Sequence, residues 1–171
     1  MYVAPLFIFR YLDRGFYVKF KIKDMEVTKA YEYYIGKREN KGFEGATITS
    51  ADDVNKFARK FYHEDLGIYE SFFIMLLDRK NHVTGWAKIS QGGVAGTVVD
   101  LKIIMKYAIE CLASNVIFVH NHPSGSLEAS KADISITNKA KEALKLIDIN
   151  LLDHVIITDK TNESFKSIID E

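Results

Sequence analysis

The sequence predicts an α/β domain in which a mixed β-sheet is flanked by helices on both faces. Apolar strand-like segments and amphipathic helical segments follow one another in the order hairpin, helix, hairpin, helix, strand, helix, strand. The chain has 171 residues, of which 47% are hydrophobic, and this composition is sufficient for one domain with an adequate core. No internal repeat interrupts the pattern.

We expect residues 1–49 to form an N-terminal extension and residues 50–171 to form the main domain. Two aromatic-rich stretches between residues 5 and 23 predict a β-hairpin, and residues 36–45 are polar and predict a loop. The basic and aromatic character of residues 9–41 fits a nucleic-acid patch, but the solvated face of an edge hairpin is the favoured interpretation.

The main domain begins with a helix and a hairpin. Ser50 is the candidate N-cap of the helix, and Asp53 follows three residues later as in a capping box. The apolar stripe of this helix consists of Val54, Phe57, Ala58 and Phe61. Residues 69–77 and 82–90 read as the two strands of the hairpin, and the glycine-rich residues 91–96 as a tight connection.

The second half of the domain alternates helices with strands. Asp100 is predicted to cap a helix over residues 101–114. Its inner face is assigned to Ile104, Ala108, Cys111 and Leu112, which makes Cys111 a small core residue. A buried strand over residues 115–120, a helix over 130–147 and a last strand over 150–158 complete the predicted fold.

Two histidines and an aspartate lie where the buried strand gives way to the third helix. His120 and His122 are two residues apart, so they face the same side if the strand geometry persists. Asp133 lies in the first turn predicted for the helix. Two imidazoles and a carboxylate form a plausible three-ligand metal site with a fourth position for water, which is the catalytic zinc arrangement.

The spacing His120-x-His122-x7-Ser130-x2-Asp133 resembles the motif of the JAMM (JAB/MPN) metalloproteases. The string HNHPSGSLEASKAD, followed by LLDHVIIT, is similar to the RadC branch of that superfamily. The resemblance extends from about Glu70 to Phe165. It implies a cytidine-deaminase-like JAMM/MPN fold, which agrees with the predicted α/β architecture, and it implies Zn²⁺ as the cofactor.

The resemblance also implies two catalytic residues outside the ligand set. The family places a glutamate on an early strand as the general base, and Glu70 begins the matching run E-x-F-x-x-x-L. Glu64 is the alternative. The family's serine at the place of Ser130 stabilises the developing oxyanion, whereas the sequence alone favours Ser130 as an N-cap that forms a capping box with Asp133.

Asp153-His154 resembles the Asp-His pair that precedes the last strand of the family. Such a pair can support a metal ligand from behind. Because consecutive strand residues point to opposite faces, His154 is interpreted here as structural. A zinc nucleobase deaminase is excluded, since its Pro-Cys-x-x-Cys motif cannot be formed with Cys111 as the only cysteine.

These observations predict a zinc-dependent hydrolase of peptide or isopeptide bonds that acts on a protein or peptide substrate. Two alternatives stay open. One is a DNA-repair-associated or DNA-binding RadC-like protein, and the other is a non-catalytic scaffold of the same fold. The intact set of candidate ligands, with Ser130 and Glu70, argues against the scaffold.

The overall composition bears on partners and compartment. Lys plus Arg equals Asp plus Glu at 23 each, so the net charge gives DNA binding no support. A lone cysteine excludes an internal disulfide and fits a reducing, cytoplasmic environment. The sequence has no apolar run long enough to span a membrane, and the N-terminus lacks the features of a signal peptide.

Overall fold

The structure is a computed structural model, and it divides the chain into two compact units, 1–37 and 38–171. The first unit contains strands β1 (Arg10–Leu12) and β2 (Gly15–Tyr17), which pair antiparallel and confirm the predicted hairpin. The predicted loop over 36–45 lies outside the described residues except for Gly45. The boundary at residue 49 stays a prediction. The structure describes residues 10–12, 15–17, 45–62, 66–93, 96–160 and 165–169.

The second unit is built on a five-stranded sheet with three helices, which confirms the predicted α/β class. Its strands lie in the order β4-β3-β5-β6-β7, and only β5 and β6 are parallel, so the sheet is mixed. The elements are α1 (Ala51–Ala58), β3 (Ser71–Leu77), β4 (Val83–Gln91), α2 (Leu101–Glu110), β5 (Asn115–Asn121), α3 (Lys131–Lys145), β6 (Asn150–Ile157) and β7 (Phe165–Ser167).

Helices cover both faces of the sheet, as the element order predicts. Alternate residues of the central strands β3 and β5 point to opposite faces, and both strands are buried along their whole length. On one face these residues pack against α1, through Val54 and Phe57. On the other face they pack against α2 and α3, through Ile104 and Leu144. A strand buried on both faces reads as a continuous apolar run, which is how β3 and β5 appear in the sequence.

The predicted N-caps are confirmed at all three helices. The Ser50 side chain accepts a hydrogen bond from the Asp53 N–H, and the Asp100 side chain accepts one from the Lys102 N–H. Ser130 begins α3 and forms a complete capping box. Each cap satisfies an amide that has no partner within its helix, and this fixes where the helix starts.

The predicted burial of Cys111 and Leu112 is wrong. Cys111 is exposed, and 87% of Leu112 is exposed. The reason is that α2 ends at Glu110, with Cys111 as its C-cap and Leu112 at a φ of 49°. Beyond that point helical periodicity no longer decides which side chains face the core. Ile104 and Ala108, which lie within the helix, are buried as predicted.

The start of β3 and the ends of β5 and β6 lie at the same end of the sheet. The carboxyl end of β5 lies there, and so does the start of its antiparallel neighbour β3, because Phe72 pairs with His120. The parallel strand β6 finishes at the same end of the sheet, and α3 connects β5 to β6. Ligand sites in sheets of this kind lie at the carboxyl ends of strands.

Among the described helices, none is long and apolar enough to cross a membrane.

Candidate metal centre

His120 and His122 lie at the end of β5 with their imidazoles adjacent. His120 is fully buried on the face covered by α2 and α3, where its ring stacks on that of Phe72. His122 follows Asn121, the last residue of the strand, and the two Nε2 atoms are 2.9 Å apart. The extended geometry therefore persists far enough to bring both histidines to one side, as their spacing predicts.

Asp133 joins the histidines from the first turn of α3. Its Oδ2 accepts a hydrogen bond from the Ser130 N–H at 2.7 Å, and its Oδ1 lies 3.4 Å from the His120 Nε2. Burial raises the pKa of Asp133, but His120 and Ser130 more than offset that effect, so its pKa lies well below the usual value. Asp133 is thus a carboxylate at neutral pH. Its Oδ2 completes the helix cap, and its Oδ1 faces His120.

The three side chains fit a zinc ion in kind and in spacing. The Nε2 atoms of His120 and His122 lie 2.9 Å apart. The His120 Nε2 lies 3.4 Å from the Asp133 Oδ1, and the His122 Nε2 lies 3.8 Å from the Asp133 Oδ2. Ligand atoms about 2.0 to 2.1 Å from a tetrahedral zinc lie about 3.3 Å apart, which is within this range. Among the described residues this is the only group of three such donors. Three protein ligands would leave the fourth position of a zinc ion for water or substrate.

The loop after β5 fixes the orientation of His122. The Nδ1 atom of His122 lies 2.9 Å from the Ser126 carbonyl oxygen, and the Gly125 N–H donates to the His122 carbonyl at 2.9 Å. A carbonyl only accepts, so the Nδ1 of His122 carries a proton, and in the neutral imidazole its Nε2 then has a lone pair. Gly125 has a φ of 74°, a left-handed conformation that favours glycine, and the end of the flexible Lys160 side chain lies where a Cβ would be.

His154, interpreted as structural from the sequence, contacts His120 on the side away from the other two candidate ligands. Its Nε2 lies 2.8 Å from the His120 Nδ1, and its Nδ1 lies 2.6 Å from the Thr137 Oγ1. Burial, followed by the nearby His120, holds the pKa of His154 well below its usual value, so this imidazole is neutral. Consecutive strand residues do point to opposite faces of the sheet, and here Asp153 is the one that points away from His120. Its Oδ1 accepts a hydrogen bond from the Ser167 hydroxyl.

Glu70 is half-buried and lies immediately before β3. Its backbone continues the pairing of β3 with the segment that follows β4. Its N–H donates to the Gly93 carbonyl at 3.1 Å, and its carbonyl accepts from the Gly92 N–H at 2.8 Å. Gly92 is required at that point, because any side chain would collide with Gly96. Glu70 is not part of the donor cluster, and its role as a base stays a prediction. Glu64 lies outside the described residues.

Asn121 fixes the chain on both sides of Glu70, and sequence reasoning did not identify it. Its amide oxygen accepts from the Ser71 N–H at 2.8 Å, and its amide nitrogen donates to the carbonyls of Tyr69 and Leu66. The amide is fully buried. The residue between the two histidines therefore ties the start of β3 to the end of β5.

Ser130 is an N-cap, which is the role that the sequence alone favours. Its Oγ accepts from the Asp133 N–H at 3.1 Å, and the side chain is exposed. A hydroxyl accepts through a lone pair and keeps one proton for donation. The cap therefore leaves Ser130 able to donate to a bound oxygen, and its role as an oxyanion donor stays a prediction.

The mixed sheet with a candidate metal site at the end of its central strand is the arrangement expected of a JAB-type domain, and the family comparison agrees with that class. The model of the RadC-like JAB domain matches residues 48–169. The chain belongs to the RadC-like JAB domain family.

Curated relatives carry a family name rather than an activity. The chain is 43% identical over 97 residues to a UPF0758 protein of Flavobacterium johnsoniae, which covers 57% of this chain and 42% of that protein. It is 38% identical over 141 residues to a UPF0758 protein of Coprothermobacter proteolyticus, covering 80% and 59% of the two chains. A UPF0758 protein of Neisseria gonorrhoeae is 35% identical over 136 residues, covering 78% and 60%. The chain thus spans less than two thirds of these relatives.

Proposed function

We propose that this chain is a zinc-dependent hydrolase of amide bonds, with a peptide or isopeptide as its substrate and water as the nucleophile. The donor cluster of His120, His122 and Asp133 carries the proposal, because its donor types and spacing suit a three-ligand zinc site. Membership of the RadC-like JAB domain family supports it.

The Nε2 atoms of His120 and His122 and a carboxylate oxygen of Asp133 would hold the metal. Bound zinc lowers the pKa of a coordinated water to about 7 and polarises a carbonyl oxygen. The protein supplies rigidity, because His120 is buried and Asp133 is held by the capping box of α3. Ligands held rigidly in this way would leave a coordination position for water or substrate.

Glu70 is the proposed general base. Phe72 pairs with His120 in the antiparallel ladder, and continuing that register by two residues would bring Glu70 level with His122. Opposite residues in such a ladder project from the same face of the sheet. From that position the carboxylate of Glu70 would take a proton from the attacking water and return it to the leaving amine.

Ser130 is the proposed donor to the developing oxyanion. It lies at the N-terminus of α3, where the helix dipole favours negative charge. Its Oγ is held in place by the Asp133 N–H, and Asp133 itself faces His120. The same capping box thus holds one candidate ligand and one candidate oxyanion donor at the same end of one helix.

The first part of the test is metal content. We expect the purified chain to contain about one zinc per molecule, measured by elemental analysis, and the double replacement H120A/H122A to remove it. H82A is the matched control, since His82 is an exposed histidine that pairs with Asp78. If the double variant kept the metal content of wild type, the cluster would be excluded as the metal site and the proposed function would fail.

The second part of the test addresses catalysis with a panel of peptides and isopeptide-linked conjugates. E70Q keeps the shape of the side chain but not its proton-accepting charge, so hydrolysis should fall by about 10²- to 10⁴-fold while zinc stays bound. E110Q, at the far end of α2, should behave as wild type. Equal cleavage by wild type and E70Q would exclude Glu70 and leave Glu64 as the candidate.

A further inference from the structure

A chain of buried hydrogen bonds connects His120 to α3 through two residues that are not candidate ligands. The Thr137 hydroxyl donates to the Asp133 carbonyl at 2.6 Å, and the Thr137 Oγ1 also lies 2.6 Å from the His154 Nδ1. The His154 Nε2 in turn lies 2.8 Å from the His120 Nδ1. Both histidines are 0% exposed, and Thr137 is 3% exposed.

The hydroxyl of Thr137 sets the direction of every bond in this chain. A hydroxyl has one proton, and in this structure it is given to the Asp133 carbonyl. The Oγ1 therefore accepts from His154, which places the His154 proton on Nδ1. A neutral imidazole has only one N–H, so the His154 Nε2 is an acceptor.

The same logic passes from His154 to His120. An acceptor at the His154 Nε2 requires the His120 proton to be on Nδ1. The Nε2 of His120 then has a lone pair, and this is the atom that faces His122 and Asp133. The reverse arrangement, with a proton on the Nε2 of His120, would block the candidate ligand atom.

We propose that Thr137 and His154 are a positioning pair that fixes the tautomer of His120, with the proton on Nδ1 and the Nε2 lone pair facing the metal position. The use of that lone pair rests on the proposed function. The tautomer itself does not, because the hydrogen bonds that fix it involve only the residues of this chain.

The pair also couples the ligands to each other. Thr137 bonds to the backbone of Asp133, one candidate ligand, and through His154 it determines the state of His120, another. The carbonyl of Asp133 and the ring of His120 are thus held by one hydroxyl. Partners of this kind behind metal-bound histidines affect metal affinity by about 10- to 100-fold.

The substitutions T137V and T137S separate the hydroxyl from the volume of the side chain. Valine keeps the shape and removes the acceptor for the His154 N–H, so the proton of His154 should move to Nε2 and that of His120 to Nε2 as well. We expect zinc affinity, measured by competition with a chelator, to fall by about 10- to 100-fold. Serine keeps the hydroxyl, so T137S should retain affinity within about threefold.

A matched control removes a hydroxyl elsewhere. Thr84 donates to the Leu76 carbonyl at 3.1 Å within the β3–β4 hairpin, so T84V breaks a comparable bond away from the histidines. Its zinc affinity should equal that of wild type. Equal affinities for T137V and T137S would overturn the proposal, because the volume of the side chain, and not its hydroxyl, would then be what matters.

A direct measurement needs no variant and no bound metal. Long-range proton–nitrogen NMR of ¹⁵N-histidine-labelled wild type reports which ring nitrogen carries the proton. We expect Nδ1–H for both His120 and His154, with and without added zinc. A His120 whose Nδ1 carries no proton, so that its proton lies on Nε2 alone, would overturn the proposal. If the tautomers are as expected but wild type binds no zinc, the proposed function fails and the positioning pair stands.

Discussion

Asn121 shows how much one side chain between the two histidines contributes. Its fully buried amide makes three hydrogen bonds to the chain around Glu70. A buried backbone group that loses its partner costs about 1–3 kcal/mol, and such groups rarely stay unpaired. The orientation of the start of β3 therefore depends on this amide rather than on strand pairing alone.

We expect N121A to lower the free energy of unfolding by about 2–4 kcal/mol, because it leaves one N–H and two carbonyls without their partner. Chemical denaturation measures this value. Zinc should still bind, since the ligands themselves are untouched.

The control for this prediction lies at the other end of the same strand. Asn115 begins β5 and donates to the Asp78 carbonyl and the Asn81 side chain. N115A should also destabilise the fold, but limited proteolysis should then show no cleavage near residues 66–71, whereas N121A should expose that segment. A stability loss well below 1 kcal/mol in N121A would contradict the prediction.

At this scale the sequence predicts the donor cluster but not the residues that support it. His120, His122 and Asp133 are close in sequence, so strand alternation and a helix cap are enough to bring them together. His154 and Thr137 reach the site only because β6 pairs with β5 and α3 packs on that face. That placement is tertiary. The family-like Asp153-His154 pair draws attention to His154 in the sequence, but no local pattern places His154 or Thr137 beside His120.

The start of α1 is defined by a cluster of hydrogen bonds on one carboxylate. The Asp53 Oδ2 accepts from the Thr49 hydroxyl at 2.7 Å, from the Thr49 N–H at 3.0 Å and from the Ser50 hydroxyl at 3.0 Å. These bonds, that of the Thr49 side chain foremost, lower the pKa of Asp53 to about 2. The negative charge also lies in the first turn of the helix, where the dipole favours it.

We expect T49V to raise the pKa of Asp53 towards its ordinary value of 3.8, because the largest cause of the shift is removed. T49S, which keeps the hydroxyl, should leave the pKa near 2. Carboxyl ¹³C NMR over a pH titration measures both values, and an unchanged pKa in T49V would contradict the assignment.

The sign of the linked stability change follows from the lowered pKa. A carboxylate with a depressed pKa in the folded chain contributes stability that is fully present above the unfolded value of 3.8. That contribution is lost as the pH falls from 3.8 through about 2. Acid therefore weakens the start of α1 only below pH 4.

The ends of elements were less predictable than their starts. Helix starts carry side chains that cap free amides, as Ser50, Asp100 and Ser130 do. The end of α2 has no glycine, and Leu112 itself adopts the left-handed conformation there. The short strand β7 was missed for a related reason, since three residues carry too little periodicity to register as a strand.

The whole molecule follows the predicted plan, because the long buried strands and amphipathic helices specify the same arrangement. Both sequence patterns require cover on two faces of the sheet, and α1 supplies one while α2 and α3 supply the other. The strand order could not be predicted at the same level, since it depends on which apolar runs pair with each other across the chain.

At the scale of the whole chain, the equal numbers of acidic and basic residues bear on DNA. Binding to the phosphate backbone requires an excess of Lys and Arg at the contact and weakens steeply with salt. We expect only weak, unspecific duplex binding at physiological salt, measured by fluorescence anisotropy. A sub-micromolar affinity that persists in about 200 mM salt would show that a local basic patch outweighs the overall balance.

The closeness of the three donors in sequence has a consequence for the unfolded state. His120, His122 and Asp133 lie within one short stretch, so an unfolded chain also keeps them near one another, and closing that loop costs little entropy. A cation that binds both states stabilises the folded one only by the difference between the two affinities. Added zinc should therefore raise the melting temperature by less than its affinity for the native chain implies.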